Sequence, residues 1–498
     1  MPPDLVGPSL GPLPRGRAAA VSDADYCQLV RRFPPSTFIP ELCAVSAELE
    51  LGEWHARIEG RLVTNWALAD LARVSLAHSN EHRRARPNRS DVLRCVSTFN
   101  NLDDPDAREG RPDWFERFFL RIASQQLDFQ FTPKYEMARI AAMCGTVTVK
   151  PLEVMRPGWD QELLGCSLGE YLAVGEFLLY SHKPNLGRFD TAFFGHPELD
   201  GLLDGLTASS ASAIYETHFV QDVAQFRAAV RPNDRPAPYR QLSYNPLLNR
   251  PAIRGLGPMD YVPVAALVIR KMSPLGVYYL GLEHYGDAFA RDMGTIFEQY
   301  VGRNLGLCAG AQVIPEITYG PKKRRRASVD WIVVTPSAVL LVEAKSVRPT
   351  EQVRLGGPSA AEDLQRMLQK ATEQIDETSA AIGQAVPEFE GIPSDRPRVG
   401  LIATLGDFHV QNAAPVRRYT GMDPRTPTVV ASIADIEHAV VGADDIAHFV
   451  LGVATDDAVN GNSLRGAFKS LNQADNPILE EAWESSPLSI GMAALGEV

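Results

Sequence analysis

Three charged residues sit where a buried strand should exclude them. The segment "SVDWIVVTPSAVLLVEAKS" (328–346) places Asp330, Glu343 and Lys345 among two apolar runs. "SVDWIVV" and "AVLLVEAK" read as strands joined by the four-residue loop "TPSA". That loop length pairs Val334 with Val339, so Ile332 faces Leu341 and Asp330 faces Glu343. Directly opposed residues on one face of an antiparallel pair hold their Cβ atoms about 4.5–5.5 Å apart. Two carboxylates that close repel each other unless a cation lies between them. Magnesium is the hard cation that suits one or two carboxylates together with a substrate phosphate. Glu343 and Lys345 are two residues apart and project from one face.

Phosphodiester hydrolysis asks for this set of groups. A metal on Asp330 and Glu343 activates a water and stabilises charge on the scissile phosphate. The backbone carbonyl of Ala344 can complete the ligand set. Lys345 can orient the water, help remove its proton and offset negative charge.

The flanking elements must position these groups. "YGDAFARDMGTIFEQYVGRNLG" predicts an amphipathic helix, with Phe289, Met293, Ile296, Phe297, Tyr300, Val301 and Leu305 on one face. "QVIPEITYG", "SVDWIVV" and "AVLLVEAK" read as three strands. "GPSAAEDLQRMLQKATEQIDETSAAIG" is a second helix, with Leu364, Leu368, Ala371, Ile375 and Ile382 on its apolar face. Ser359 and Glu362 fit a capping box at its start. "RVGLIATLG" and "TPTVVASI" are two further strands and "ADIEHAVVG" a closing helix. The predicted order over 281–440 is αβββαββα, a mixed sheet flanked by helices.

Asp330 followed by Glu343-Ala344-Lys345, in that order of elements, resembles the PD-(D/E)xK nuclease superfamily, the restriction-endonuclease-like fold. The resemblance covers about 280–440. It implies that Asp330 and Glu343 bind magnesium, for which manganese substitutes, and that Lys345 serves the attacking water. It also implies that Glu298 matches an acidic residue on the preceding helix and Gln374 a polar residue on the following one. Val329 stands before the aspartate in place of the motif's proline. The implied activity is endo- or exonucleolytic hydrolysis of nucleic acid, with DNA favoured over RNA. Products would carry a 5′-phosphate and a 3′-hydroxyl. A role in defence against foreign DNA or in DNA processing follows only by analogy.

The basic run Lys322, Lys323, Arg324, Arg325 and Arg326 leads into the Asp330 strand, where it can track a phosphate backbone. A second reading keeps the fold and drops catalysis, leaving a nucleic-acid-binding or scaffold protein. A third starts from "GCSLG" (165–169), which matches the nucleophile elbow of serine hydrolases and acyltransferases around Ser167. The same residues also fit a helix cap, Ser167 with Glu170. His78 and His82 have a spacing that suits a metal on a helix, without an evident third ligand. His409 and Asp407 lie near the end of a predicted strand.

Length and composition set the bounds. The chain has 498 residues, enough for two or three domains. A net charge of −12 excludes a generally basic, nucleic-acid-coating protein but not one basic patch. Six scattered cysteines without a CxxC pair exclude a zinc framework and predict a reducing, cytoplasmic setting. No apolar run approaches the roughly 20 residues that span a bilayer, so no membrane partner is expected. Residues 1–20 read as a disordered tail and 21–240 as a helix-rich domain that recognises a substrate, a regulatory partner or a second copy. "YEMARIAAMCGTVTVKPLEVM" is expected to hold one strand. The proline-rich stretch 231–260 reads as a linker, with 241–280 as a connecting arm. Residues 441–498 form an acidic C-terminal segment.

Overall fold

The computed structural model describes residues 21–490 apart from 105, 107–109, 111, 127–128, 197–205, 236, 238, 409–410, 457–463 and 487–488. The expected tail over 1–20 and His409 lie outside the described residues. The chain is mixed α/β. Its principal sheet has five strands: β1 (Gln312–Pro315), β2 (Trp331–Val334), β3 (Val339–Lys345), β4 (Arg398–Thr404) and β5 (Thr428–Ser432). Their order across the sheet is β5-β4-β3-β2-β1. β1 and β3 each run antiparallel to β2, while β3, β4 and β5 are mutually parallel. The β2–β3 register pairs Val334 with Val339 and Ile332 with Leu341, as the loop length predicts.

The expected strand "QVIPEITYG" splits in two. Pro315 has no N–H to extend the ladder, and the chain leaves the sheet there. Thr318–Tyr319 instead pairs with Arg326–Ala327 in a separate two-stranded ribbon.

Helices cover both faces of the sheet. Leu340 and Val342 of β3 share one core with α1 (Asp287–Leu305), α4 (Ile433–Gly442) and α5 (Ile446–Thr455). Val339 and Leu341 share another with α2 (Ala360–Gly383) and α3 (Ala414–Thr420). The seven apolar positions predicted for α1 and the five for α2 are all buried. Ser359 does not cap α2 with its side chain. Its backbone (φ −97°, ψ 11°) is not the extended conformation that turns a hydroxyl onto the first helical turn. The α3 helix, absent from the predicted order, carries the crossover between β4 and β5.

Three expectations for the rest of the chain change. "YEMARIAAMCGTVTVKPLEVM" holds helix Pro133–Cys144 and no strand, because Val147 and Val149 face solvent at 89% and 82% exposure. The expected arm does not run free. Ala252–Arg254 and Asp260–Tyr261 are strands of a four-stranded sheet with Arg188–Phe189 and Val220–Asp222. Ala265–Met272 then forms a buried helix. The acidic segment from 441 opens with α5, which packs against β3, β4 and β5.

The helices of the N-terminal part join the same core. Arg139 pairs with Glu437 at 2.8 Å, and Tyr300 donates to the same carboxylate at 2.7 Å. Asp292 on α1 accepts from the backbone N–H groups of Glu153, Val154 and Met155 at 2.6–2.9 Å. Further along α1, Gly302 lets the helix approach the sheet, since a Cβ there would lie 2.1 Å from the Trp331 ring. No helix among the described residues is long and apolar enough to cross a membrane.

Gly302→Ala is expected to destabilise the protein by about 1–3 kcal/mol through overpacking. Urea unfolding measures this, and an unchanged midpoint would show that Trp331 shifts freely. Glu176 on helix Leu168–His182 is 1% exposed, and one of its carboxylate oxygens has no hydrogen-bond partner. Burial pushes its pKa up to about 8. A carboxyl raised in this way contributes stability that is full below pH ~4.5 and is lost as pH rises through ~8. Glu176→Gln should match the wild type below pH 4.5 and gain on it by up to about 1.4 kcal/mol per pH unit from there to pH ~8, where the gain levels off. Parallel pH–stability curves for the two proteins would refute this.

Candidate active site

The hairpin register decides the geometry. Asp330 immediately precedes β2 and lies opposite Glu343 near the end of β3. The backbone N–H of Asp330 donates to Glu343 Oε2 at 3.3 Å, and the N–H of Ala344 donates to Asp330 Oδ2 at 2.7 Å. Lys345 Nζ donates to Glu343 Oε1 at 2.5 Å. The three predicted side chains therefore meet. Glu343 is 1% exposed, while the Lys345 side chain keeps 23% exposure.

In an extended strand a residue's N–H and C=O point to the same side. The Ala344 N–H is bound to Asp330, so its carbonyl opens towards the same edge. The Lys345 carbonyl points the other way and accepts from Leu405 N–H at 3.3 Å.

Burial, with repulsion from neighbouring carboxylates, holds both acids above their ordinary range. Burial pushes Asp330 up to about 6, the Ala344 N–H opposes it, and Glu298 adds repulsion. Burial pushes Glu343 up to about 7, with Asp330 as the next cause and Lys345 opposing. A cation placed between these carboxylates would offset the charge that burial penalises.

Glu298 reaches this edge from α1. The indole N–H of Trp331 donates to the Glu298 carbonyl at 2.9 Å, tying helix to strand. Two charged groups near the acids were not singled out from the sequence. Glu316, just after β1, adds to the field on Asp330. Lys150 Nζ lies 3.8 Å from Glu298 Oε2, delivered by the loop that Asp292 anchors. Neither has a local motif, and Lys150 is nearly 150 residues from its partner in sequence. Gln374 donates to the Ser328 carbonyl at 2.6 Å, and Thr378 accepts from Val329 N–H at 3.1 Å. Gln374 thus fastens α2 to the strand that carries Asp330.

The basic run forms the turn of the ribbon between Glu316 and Asp330. Lys322, Lys323, Arg324, Arg325 and Arg326 are all exposed, and Arg326 pairs with Glu377 at 3.1 Å. The ribbon therefore places exposed cations on a projection rooted in the acidic site.

The other motifs are placed differently. Ser167 caps helix Leu168–His182: its Oγ accepts from Glu170 N–H at 3.2 Å and donates to the Glu170 carboxylate at 2.7 Å. His78 is the last residue of helix Asn65–His78, so His82 lies beyond the helix and the two share no helical face. Asp407 pairs with Arg465 at 3.5 Å. All six cysteines are unbridged, and burial pushes Cys95, Cys144, Cys166 and Cys308 up to about 12.

Among the described residues no group of three or more His, Cys, Asp or Glu side chains is arranged to hold a metal. The oxygens that the strand end offers, those of Asp330, Glu343 and the Ala344 carbonyl, are all hard donors. These suit a cation that keeps several of its own waters rather than a four-coordinate zinc. Comparison with family models, curated proteins and solved structures finds no match for the chain.

Asp330→Asn keeps an acceptor for the Ala344 N–H and removes one repelling charge. A carboxyl raised to about 6 loses its stabilising contribution as pH climbs from ~4 through ~6. The variant should equal the wild type near pH 4 and exceed it at pH 8 by about 1–3 kcal/mol in metal-free buffer. Equal stability at pH 8 would mean that the two acids do not strain the fold.

Proposed function

We propose that the chain is a magnesium-dependent nuclease that hydrolyses phosphodiester bonds, with a PD-(D/E)xK-type domain at its centre. One observation carries the reading: the β2–β3 register sets Asp330 against Glu343 at a buried strand end, and Lys345 meets the same carboxylate. The arrangement of the sheet supports it, with an antiparallel hairpin continuing into parallel strands between helical layers.

Asp330, Glu343 and the Ala344 carbonyl would hold the cation, which when bound supplies Lewis acidity to the scissile phosphate and lowers the pKa of water. Lys345 can hold a water by hydrogen bonding and offset negative charge as it develops on the phosphate oxygens. Glu343 positions that ammonium. Glu298 and Glu316 enrich the negative field and so strengthen cation capture, while Lys150 tempers it. Gln374 acts at one remove by fixing the strand. The exposed cations of the ribbon supply backbone contacts that read no sequence.

The Glu343–Lys345 ion pair is also what a nuclease fold that only binds nucleic acid would display. Catalysis separates the two readings. Wild type is expected to cut plasmid, linear duplex, single-stranded DNA or RNA in Mg²⁺ and to be silent in EDTA. Lys345→Ala and Asp330→Ala should each lower the rate by at least about 100-fold, the scale of a lost acid–base or electrostatic group. Cutting that survives both substitutions would overturn the site. Absence of cutting by wild type, with unchanged nucleic-acid binding by Lys345→Ala, would favour the binding protein.

A further inference from the structure

A cavity of about 940 Å³ opens at the carboxyl end of β3, directly beyond Lys345. Ser346, Val347 and Arg348 form one wall, and Ala290 of α1 connects it with the helix that carries Glu298. Crevices outside the carboxyl ends of parallel strands are where such sheets bind ligands. The remaining walls come from the expected arm, now folded into helices and turns, with Leu282 and Glu283 just after it, and from the segment 349–367.

The lining chemistry is specific. The cations Lys271 and Arg348 line this space, with the acids Glu283 and Glu351 also on its wall. Arg235 pairs with Glu351 at 2.6 Å and reduces its share. These cations stand out in a chain of net charge −12. Arg348 lies over the rings of Tyr278 and Tyr279, at 4.6 and 4.1 Å from their centroids. This stacking orders the guanidinium, which keeps its planar donor edge for an anion. Tyr279 is 42% exposed and Tyr244, also on the cavity wall, is 37% exposed. Lys271 is 3% exposed, held to Asn249 Oδ1 at 3.4 Å, and burial pushes its pKa down to about 7. A buried amine facing a cavity gains most from an anionic occupant.

We infer that this cavity is the track for single-stranded nucleic acid leading to the Asp330–Glu343–Lys345 centre, with bases stacking on Tyr244 and Tyr279 and phosphates meeting Arg348 and Lys271. The inference rests on the nuclease reading and adds its substrate class. Aromatic faces beside cations are what a flexible strand needs.

The test measures binding separately from cutting. Fluorescence anisotropy in EDTA uses labelled 20-mers of deoxythymidine and of uridine, a 20-base-pair duplex, and a mononucleotide competitor. The single strands should bind at least about tenfold more tightly than the duplex and lose affinity with salt. Arg348→Ala and Tyr279→Ala should each weaken them about tenfold or more, while Tyr279→Phe keeps the ring and binds as wild type. The two 20-mers distinguish DNA from RNA. Equal affinity for duplex, or single-strand binding unchanged in both alanine variants, would overturn the track. Competition by a mononucleotide as strong as by a 20-mer would overturn it in favour of a small-ligand pocket. Strong single-strand binding without cutting in Mg²⁺ would refute the nuclease reading and leave the track standing.

Discussion

Two carboxylates held face to face at a buried strand end, both penalised first by burial, are the constraint around which the structure is arranged. An isolated hairpin would slip or splay to separate Asp330 from Glu343. Here it cannot, because β2 is pinned between β1 and β3, and β3 is covered on both faces. A one-residue slip would turn every apolar side chain of the hairpin to the wrong face. The hydrophobic layers therefore hold the register, and the register holds the acids together. The remaining charge is managed locally, by the Ala344 N–H on Asp330 and by Lys345 on Glu343.

The N-terminal helices are part of that support. Arg139, Glu437 and Tyr300 join three helices through one buried charge cluster, and losing Arg139 would leave Glu437 as a buried ion without its cation. Asp292 satisfies three backbone donors of the 153–155 loop and so brings Lys150 beside Glu298. Trp331 locks α1 to the sheet at the level of the acids, and Gly302 supplies the room it needs.

Charge is distributed with position rather than in bulk. An acidic chain repels polyanions at long range, so any approach of nucleic acid depends on local fields. Two such fields adjoin the acids: the exposed ribbon carrying Lys322 to Arg326, and the cavity containing Arg348 and Lys271. They lie on different segments, 316–330 and 242–290 with 346–367.

Much of the centre was legible in the sequence because it is set by near neighbours. Loop length determined the hairpin register, period two put Glu343 and Lys345 on one face, and helical periodicity named the buried faces of α1 and α2. The mixed α/β class followed from the same patterns. Where local signals compete, the sequence misled. Pro315 ended β1 early, the backbone at Ser359 withheld the expected cap, and prolines over 231–260 signalled a linker where short strands were buried. Only the tertiary structure placed Lys150 beside Glu298, packed α5 on the sheet, and brought the tyrosines of 244–279 to the end of β3. Those contacts join segments separated by tens to hundreds of residues. They depend on how whole surfaces fit, which no short window of sequence encodes.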